Sequence, residues 1–585
     1  MDGIYRKIGE IMKRFAVYLL TGALMTGLLT GCGQASVNNS ADNVTDTAVS
    51  EGTEAKQEKP KEEVKSYTIP KAGVKHIVLS DEGTTVDGSD ISTDSGAAVY
   101  AANDIVFYLE GQGFTYGEGT EADEHTQAEA DAHTVIHITQ PGSYALSGSL
   151  SAGQIAIDLG EDAEKDPNAV VNLYLNGVDI TCSVAPGIIF YNVYECGSDD
   201  AEKASATVDT STAGANVILV DDTTNNVNGS YVARIYKSYT LNEEGTEVVD
   251  NKKLHKYDAA FYSKRSMNVT GGNGILNIQA ENEGLDSELH LTIDGGNINI
   301  LSGNDGINTN EDGISVTTIN GGTVNIQVTG STGEGDGIDS NGWLVINGGT
   351  VIAAACSTSG DAGIDSDMGI HVNGGTVVAS GNMYDRLEDG SQTYAVFTFG
   401  DRQKGGTTYT LKNDKEQIVD EWTPANDYIY LVVSSPDLTP GTYTLWCDSI
   451  QMASNQGRGG FAGMGGFAGP DGLGGGMPAG NFGEGMKLPE GMEIPEGVER
   501  PELPEGVERP ELPEGMERPE LPEGVERPEN GAPQGDDDFE GHGGRGDKGS
   551  FGGNQGAGTG ELNVEFVIQE GSNFFHNVSI KALES

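Results

Sequence analysis

The sequence predicts an all-β chain whose main body is a parallel β-helix, and three observations carry that prediction. First, Gly-Gly pairs stand at Gly271-Gly272, Gly295-Gly296, Gly321-Gly322, Gly348-Gly349 and Gly374-Gly375, with spacings of 24, 26, 27 and 26. Second, each pair is followed by period-two alternation, as in Asn297-Ile298-Asn299-Ile300, Thr323-Val324-Asn325-Ile326 and Thr350-Val351-Ile352. Another short strand precedes it, as in Leu291-Thr292-Ile293, Leu344-Val345-Ile346 and Ile370-His371-Val372. Third, no helical period falls between the strands. Three strands of about five residues joined by three turns of about two to five give a unit of roughly 21 to 30 residues, which contains the observed spacing. A leucine-rich horseshoe would need a different pattern, and a propeller blade a longer unit. Stacked coils fit: inward Ile, Val and Leu build a continuous core while Asn, Thr and Gly fill the turns.

The flanking segments follow in order. Met12-Lys13-Arg14 opens a basic stretch, Phe15 to Leu29 is mostly apolar, and Leu29-Thr30-Gly31-Cys32 follows. This is the pattern of a cleaved secretory signal, residues 1–31, closed by a lipobox. The apolar run is short for a retained span. Cys32 is therefore expected to carry lipid, and the protein to be extracytoplasmic, held to a bacterial cell membrane through that anchor alone. Residues 32–64 are polar, with almost no large apolar side chain, and read as a disordered tether. The β-helix is expected over 65–400. The pattern Val171-Asn172-Leu173-Tyr174-Leu175-Asn176-Gly177-Val178-Asp179-Ile180 starts coils before residue 200, and Thr68 to Leu159 supply the first coils and a cap.

Tyr428-Ile429-Tyr430-Leu431-Val432-Val433 and Gly441-Thr442-Tyr443-Thr444-Leu445 read as strands of a small terminal β region, 401–456. Residues 457–560 hold a Gly-rich tract and four nonapeptides, Ile494 to Glu529, of the form (Leu/Ile)-Pro-Glu-Gly-(Val/Met)-Glu-Arg-Pro-Glu. Two prolines in every nine residues prevent helix and sheet, so this is a disordered, polyproline-like spacer. Leu562-Asn563-Val564-Glu565-Phe566-Val567-Ile568 and Val578-Ser579-Ile580 are strand-like again. Residues 561–585 therefore complete the terminal region, and the spacer is an insertion in one of its loops.

A formal charge of −57 on 585 residues excludes nucleic acid and an anionic membrane surface as electrostatic partners and favours bound cations. Beyond Cys32 four cysteines remain, too few for a disulfide scaffold. Cys182 and Cys196, nearest in sequence, are the candidate bonded pair. The sequence does not give an oligomeric state.

Aligning the repeats on their Gly-Gly turns brings a second motif into register: Gly284-Leu285-Asp286-Ser287, Asp305-Gly306-Ile307-Asn308-Thr309, Asp336-Gly337-Ile338-Asp339-Ser340 and Asp361-Ala362-Gly363-Ile364-Asp365-Ser366. Leu285, Ile307, Ile338 and Ile364 would point inward, so Asp286, Asn308, Asp339 and Asp365 would point out from one face. Carboxylates one strand spacing apart, about 4.8 Å, repel by roughly 3 to 4 kcal/mol at an effective dielectric near 20. No Lys or Arg occurs between Arg265 and Arg386 to relieve this. Clustered Asp, Asn, Glu and main-chain oxygens suit Ca²⁺, which takes about six to eight oxygen ligands. The candidate ligands are Asp286, Asp305, Asn308, Asp312, Glu334, Asp336, Asp339, Asp361 and Asp365. Asp-Gly turn chemistry is the competing reading, and it accounts for Asp305, Asp336 and Asp361 individually.

The chain resembles the β-helical carbohydrate-binding domains of clostridial surface proteins, whose fold is similar to that of calcium-dependent pectate lyases. The resemblance rests on Ile138-Thr139-Gln140-Pro141-Gly142-Ser143-Tyr144-Ala145-Leu146-Ser147-Gly148, on Leu175-Asn176-Gly177-Val178-Asp179-Ile180, on Tyr262-Ser263-Lys264-Arg265-Ser266-Met267-Asn268-Val269 and on the Asp-Gly-Ile repeats, about residues 130 to 385. It implies a right-handed parallel β-helix, bound calcium, and binding of cellulose-like or acidic polysaccharide without demonstrated cleavage. At Arg265-Ser266-Met267 the chain departs from the acidic residues common in the family.

A lyase, the sharper alternative, needs a Lys or Arg base beside a calcium-bound uronate. The candidates are Lys264, Arg265 and Arg386, with His290 and His371 behind them. Sugar stacking calls for an aromatic platform, and Trp343, just past the acidic motif, is the first choice over Phe261, Tyr262 and Tyr384. A calcium-stiffened structural or adhesive surface protein is the alternative from a different class.

Overall fold

The computed structural model of the protein describes residues 65–197, 200–242, 244–455 and 562–580. The expected signal, Cys32, the tether and the 457–560 spacer lie outside the described residues. Within them the chain is all-β, with one short α-helix, Gln127–Asp131, and two 3₁₀ turns.

Residues 259–381 form three parallel ladders, and the chain visits each once per repeat. The first holds Met267–Gly271, His290–Ile293, Val316–Ile319, Trp343–Ile346 and Gly369–Val372. The second holds Ile275–Ala280, Asn297–Ser302, Thr323–Val328, Thr350–Ala354 and Thr376–Gly381. Ala259–Ser263, Glu283–Ser287, Ile307–Thr309 and Ile338–Ser340 make the third.

Identical register from repeat to repeat follows from the core. The columns Leu276-Ile298-Val324-Val351-Val377 and Leu285-Ile307-Ile338-Ile364 are buried in one continuous apolar cluster, so a one-residue slip would turn a whole column outward. The glycine pairs set the turns. Gly296, Gly322, Gly349 and Gly375 all have φ between +80° and +95°. A Cβ on Gly349 would stand 2.7 Å from the Gly322 carbonyl oxygen, because each turn lies directly on the last.

Before residue 259 the ladders continue but the period does not. Gly142–Leu150 pairs in parallel with Val171–Cys182, which pairs with both Ala215–Leu219 and Thr224–Gly229. Ala215 then pairs with Met267, 52 residues on, because a hairpin of Val232–Leu241 with Val248–Tyr257 intervenes. Together with residues 105–130 this hairpin roofs the outer face of the third ladder. A second apolar cluster lies there, with Ile105, Tyr108, Ile189, Val232, Tyr257 and Tyr262 among its members.

Cys182 is buried at the edge of that cluster and Cys196 follows the next strand, and both remain free, so the expected bond is not formed. Burial pushes both thiols up to about 12, which leaves neither as a reactive thiolate.

The terminal region caps the array by antiparallel pairing: Tyr428–Ser434 joins Thr376–Gly381 to Tyr394–Gln403. Ile450–Asn455 pairs with Leu562–Asn563 and with Ser572–Ile580. Its aromatic core includes Phe397, Trp422, Phe566 and Phe575.

Candidate functional site

The third ladder places the acidic row. Phe261, Leu285, Ile307 and Ile338 stand in register, and one residue on so do Tyr262, Asp286, Asn308 and Asp339. The bridge Ile338 to Ile364 puts Asp365 next in that row.

Exposure is where the structure departs from expectation. Asp286 is 0% exposed and Asn308 6%. Asp339 and Asp365 are half-buried. The row faces away from the main core, yet its front half is covered.

A second row of acids lies alongside, set by the triplets Glu283-Gly284-Leu285, Asp305-Gly306-Ile307 and Asp336-Gly337-Ile338. Asp305 Oδ1 accepts from the Asp336 N–H at 2.6 Å, and Asp336 Oδ1 from the Ala362 N–H at 2.6 Å. Asp361 Oδ2 accepts from the Gly335 N–H at 2.7 Å and from the Ser359 hydroxyl. These acids clip one repeat to the next, so turn chemistry engages one oxygen of each and leaves its second oxygen to other contacts. Asp312 and Glu334 are exposed; Asp312 Oδ1 takes the Asn341 amide at 3.1 Å, outside the buried group.

Packing so many carboxyls together raises their proton affinity. Burial first, and neighbouring carboxylates second, hold Glu283, Asp286, Asp336 and Asp339 well above the usual carboxylate range. Burial pushes Asp305 up to about 7, and Asp385, beyond Asp365, to about 7 as well.

One cation reaches this group from outside the repeats. Lys256, at the end of the roofing hairpin, places Nζ 2.6 Å from Asp258 Oδ2. Burial lowers its proton affinity, but Asp258, Glu283 and Asp286 together raise it above the ordinary lysine value. The repeats themselves lack Lys and Arg, but the front of the row is not without a counter-charge, which corrects the expectation from the sequence.

Two oxygens remain unsatisfied. Asn308 Nδ2 donates to Glu283 Oε1 at 3.2 Å and to Asn310 Oδ1 at 3.0 Å, while Asn310 donates to both oxygens of Asp286. Glu283 Oε2 and Asn308 Oδ1 are buried without a hydrogen-bond partner. Each such atom costs about 1 to 3 kcal/mol unless something fills the gap. These are hard oxygen donors, the kind that Ca²⁺ takes. Among the described residues no three His, Cys, Asp or Glu side chains form a ready-made metal cage.

Asp258, Glu283, Asn310 and Lys256 were missed in the sequence. Glu283 carried a readable signal, since Glu283-Gly284-Leu285 repeats the acid-Gly-apolar triplet. Lys256 carried none.

Of the aromatic candidates, Phe261 and Tyr262 are buried at 0% and 1% exposure and cannot serve as platforms. Tyr384 is half-buried against Tyr430, with ring centroids 5.2 Å apart. Trp343 is half-buried and heads its strand in the column of His290, Val316 and Gly369, not in the acidic row. Among the candidate bases, Arg265 is paired with Glu164 at 2.5 Å and Arg386 with Asp389 at 2.9 Å. His290 is 3% exposed, and its Nδ1 accepts from the Val316 N–H at 3.1 Å.

Residues 132–395 match the family model of carbohydrate-binding domain-containing proteins. That span contains both acidic rows, the roofing hairpin and Trp343, and the match supports polysaccharide binding. A solved structure, the gadolinium derivative of the polysaccharide lyase-like protein from C. thermocellum, is similar at 20% identity over 52% of this chain and 93% of that one, with a TM-score of 0.29. No curated protein matches the sequence.

Proposed function

We propose that the chain binds polysaccharide at the bacterial cell surface, without cleaving it, along the acidic face of a right-handed parallel β-helix and through Ca²⁺. Two orphaned oxygens, Glu283 Oε2 and Asn308 Oδ1, carry the reading, set among buried carboxyls inside the span matched to the carbohydrate-binding family. Ions spaced along the rows would each draw on neighbouring members of them, Asp286, Asn308, Asp339 and Asp365 in one row and Glu283, Asp305 and Asp336 in the other, with main-chain carbonyls and water completing each shell. Bound there, calcium neutralises the rows and offers open positions to glycan hydroxyls or carboxylates. Trp343 gives an apolar face to a sugar ring. The lipid on Cys32 holds the protein at the membrane.

The candidate bases favour a binding role over a lyase: Arg265 is paired with Glu164, Arg386 with Asp389, and His290 is buried.

The test is retention on insoluble glucan and on pectate gel, with calcium and with chelator. Retention that needs calcium supports the reading, and equal retention in chelator removes calcium from it. Ultraviolet-absorbing unsaturated products would overturn the non-catalytic role. Indifference to every glycan would favour the calcium-stiffened adhesive protein.

A further inference from the structure

The roofing hairpin runs on beyond the part that serves as roof. Its base is tied to the body along the outer edge of Val232–Leu241. Glu118 N–H donates to the Arg234 carbonyl at 2.9 Å, Tyr236 N–H to Tyr116 at 2.8 Å, and Gly117 bridges Ile235. The Arg234 guanidinium and the Tyr236 hydroxyl both hold the Glu118 carboxylate. Past Tyr236, among the described residues, no further segment pairs with that edge, and only the return strand Val248–Tyr257 accompanies it. Lys237, Ser238, Tyr239 and Thr240 are exposed, Tyr239 at 46%, and Val249 on the return strand at 59%.

A two-stranded ribbon alone in water is marginal, and an open strand edge is a template for another strand. The two edges of this arm differ. Asp250 and Lys252, both exposed, guard the return strand. Ser238-Tyr239-Thr240-Leu241 on the outgoing strand is uncharged and includes residues that suit a strand. Charges stand only at the two ends of that open edge, Lys237 where it begins and Glu244 and Glu247 at the tip. None of the three enters an ion pair among the described residues. From Lys237 to Leu241 the strand advances about 14 Å, and the tip acids lie beyond. That exceeds the Debye length of about 8 Å at physiological salt, so one arm does not neutralise its own ends.

We infer that this edge pairs with the same edge of a second copy of the chain, antiparallel, about a two-fold axis near Thr240. Laid that way, Lys237 of each copy meets the tip acids of the other, and the match is made twice. A parallel arrangement would set like charges together. Around the axis Tyr239 and Leu241 of the two copies cover one another as cross-strand neighbours. An edge this short buries less than a standard interface, and the net charge of −57 holds the bodies apart, so the association is roughly micromolar or weaker. The inference stands apart from the calcium and glycan readings.

Sedimentation velocity of the full chain from about 1 µM to about 1 mM tests it. Wild type is expected to shift from monomer to dimer across that range. Lys237→Glu makes both ends of the arm acidic, and Glu244→Lys/Glu247→Lys makes both basic, so each variant should dimerise about tenfold or more weakly. Mixed in equal amounts, the two variants should associate as wild type does, while calcium calorimetry of each stays unchanged. Wild type that remains monomeric overturns the inference. So does a dimer that neither variant weakens, or a mixture that associates no better than its separate components. Amide hydrogen exchange of the wild type gives a second reading that needs no variant: residues 237–241 should exchange more slowly at the high concentration, and equal exchange at both ends of the range overturns the pairing.

Discussion

Replacing Lys256 by Met is the most informative single change, because it removes one charge and keeps most of the volume. Lys256 Nζ lies 2.6 Å from Asp258 Oδ2, with side-chain exposures of 31% and 11%. Taking one partner from a buried ion pair costs about 3 to 5 kcal/mol, and the partial exposure of Lys256 places this pair at the lower end. Unfolding roughly 400 ordered residues at about 2.1 cal/mol/K each makes 3 kcal/mol a shift of about 4 °C in Tm.

The pH dependence has a definite sign. Lys256 itself stays charged up to its raised folded value, above the assay range, so it does not titrate between pH 5 and 8. Glu283 and Asp286 do respond: their proton affinity is raised on folding, so the folded state keeps protons that the unfolded state sheds above about pH 4. Stability of the metal-free protein therefore falls as pH rises. Without Lys256 these carboxyls lose their nearest cation, and the fall steepens. Differential scanning calorimetry in chelator should show a small deficit for Lys256→Met at pH 5 and the full 4 °C or so at pH 8. Calcium should restore more Tm to the variant than to wild type. An equal deficit at both pH values, indifferent to calcium, would refute the argument and leave Lys256 as packing alone.

Three further outcomes follow from the same geometry. Asp339→Ala with Asp365→Ala should remove at least one site from calcium titration calorimetry of the full chain, and unchanged stoichiometry would place the ion elsewhere. Asp305→Asn keeps an acceptor for the Asp336 N–H but no longer titrates; since folding moves Asp305 from 3.8 to about 7, the variant should be more stable than wild type at pH 8 in chelator, by up to about 4 kcal/mol, and no more stable at pH 4. Gly349→Ala should cost about 2 to 4 kcal/mol in a thermal melt, because φ is +80° and the new Cβ would sit 2.7 Å from the Gly322 carbonyl; a neutral result would mean the turns do not stack as described.

The repeat was legible because inward positions obey a hard constraint. Every layer fills the same cross-section, so Leu285, Ile307, Ile338 and Ile364 recur in step, and the glycine that permits the tight turn recurs with them. The acidic row was legible for the same reason, being one residue away. Burial of that row was not legible, since Asn310 and Glu283, which bond to Asp286 and Asn308, and Lys256, which stands near them, lie off the register position itself. Period-two reasoning says which side a residue faces but not what else reaches that side. Asp258 escaped because it stands one residue before the register position that Glu283 occupies in the next strand, as Ala259 pairs with Glu283.

The outer column of the third ladder shows how one interruption sets the place of the site. Its members are His137, Ala156, Ile189, Tyr262, Asp286, Asn308 and Asp339, in register throughout. Ala156, Ile189 and Tyr262 are buried under the roof and are apolar or aromatic, as a covered face requires. The roofing hairpin returns to the array at Tyr257, and from Asp286 onward the column carries only carboxylates and an amide. Lys256 stands at that border, one residue before the hairpin ends, with its charge turned toward the first acids. The hairpin thus does two things at once: it buries the face that can be buried, and it ends where the face becomes too charged to cover without a cation. Partly roofed, the row is held at a lower dielectric than one fully open to water, where its charges would be screened. The 52-residue gap in the repeat, which breaks the sequence pattern, is what supplies this partial roof.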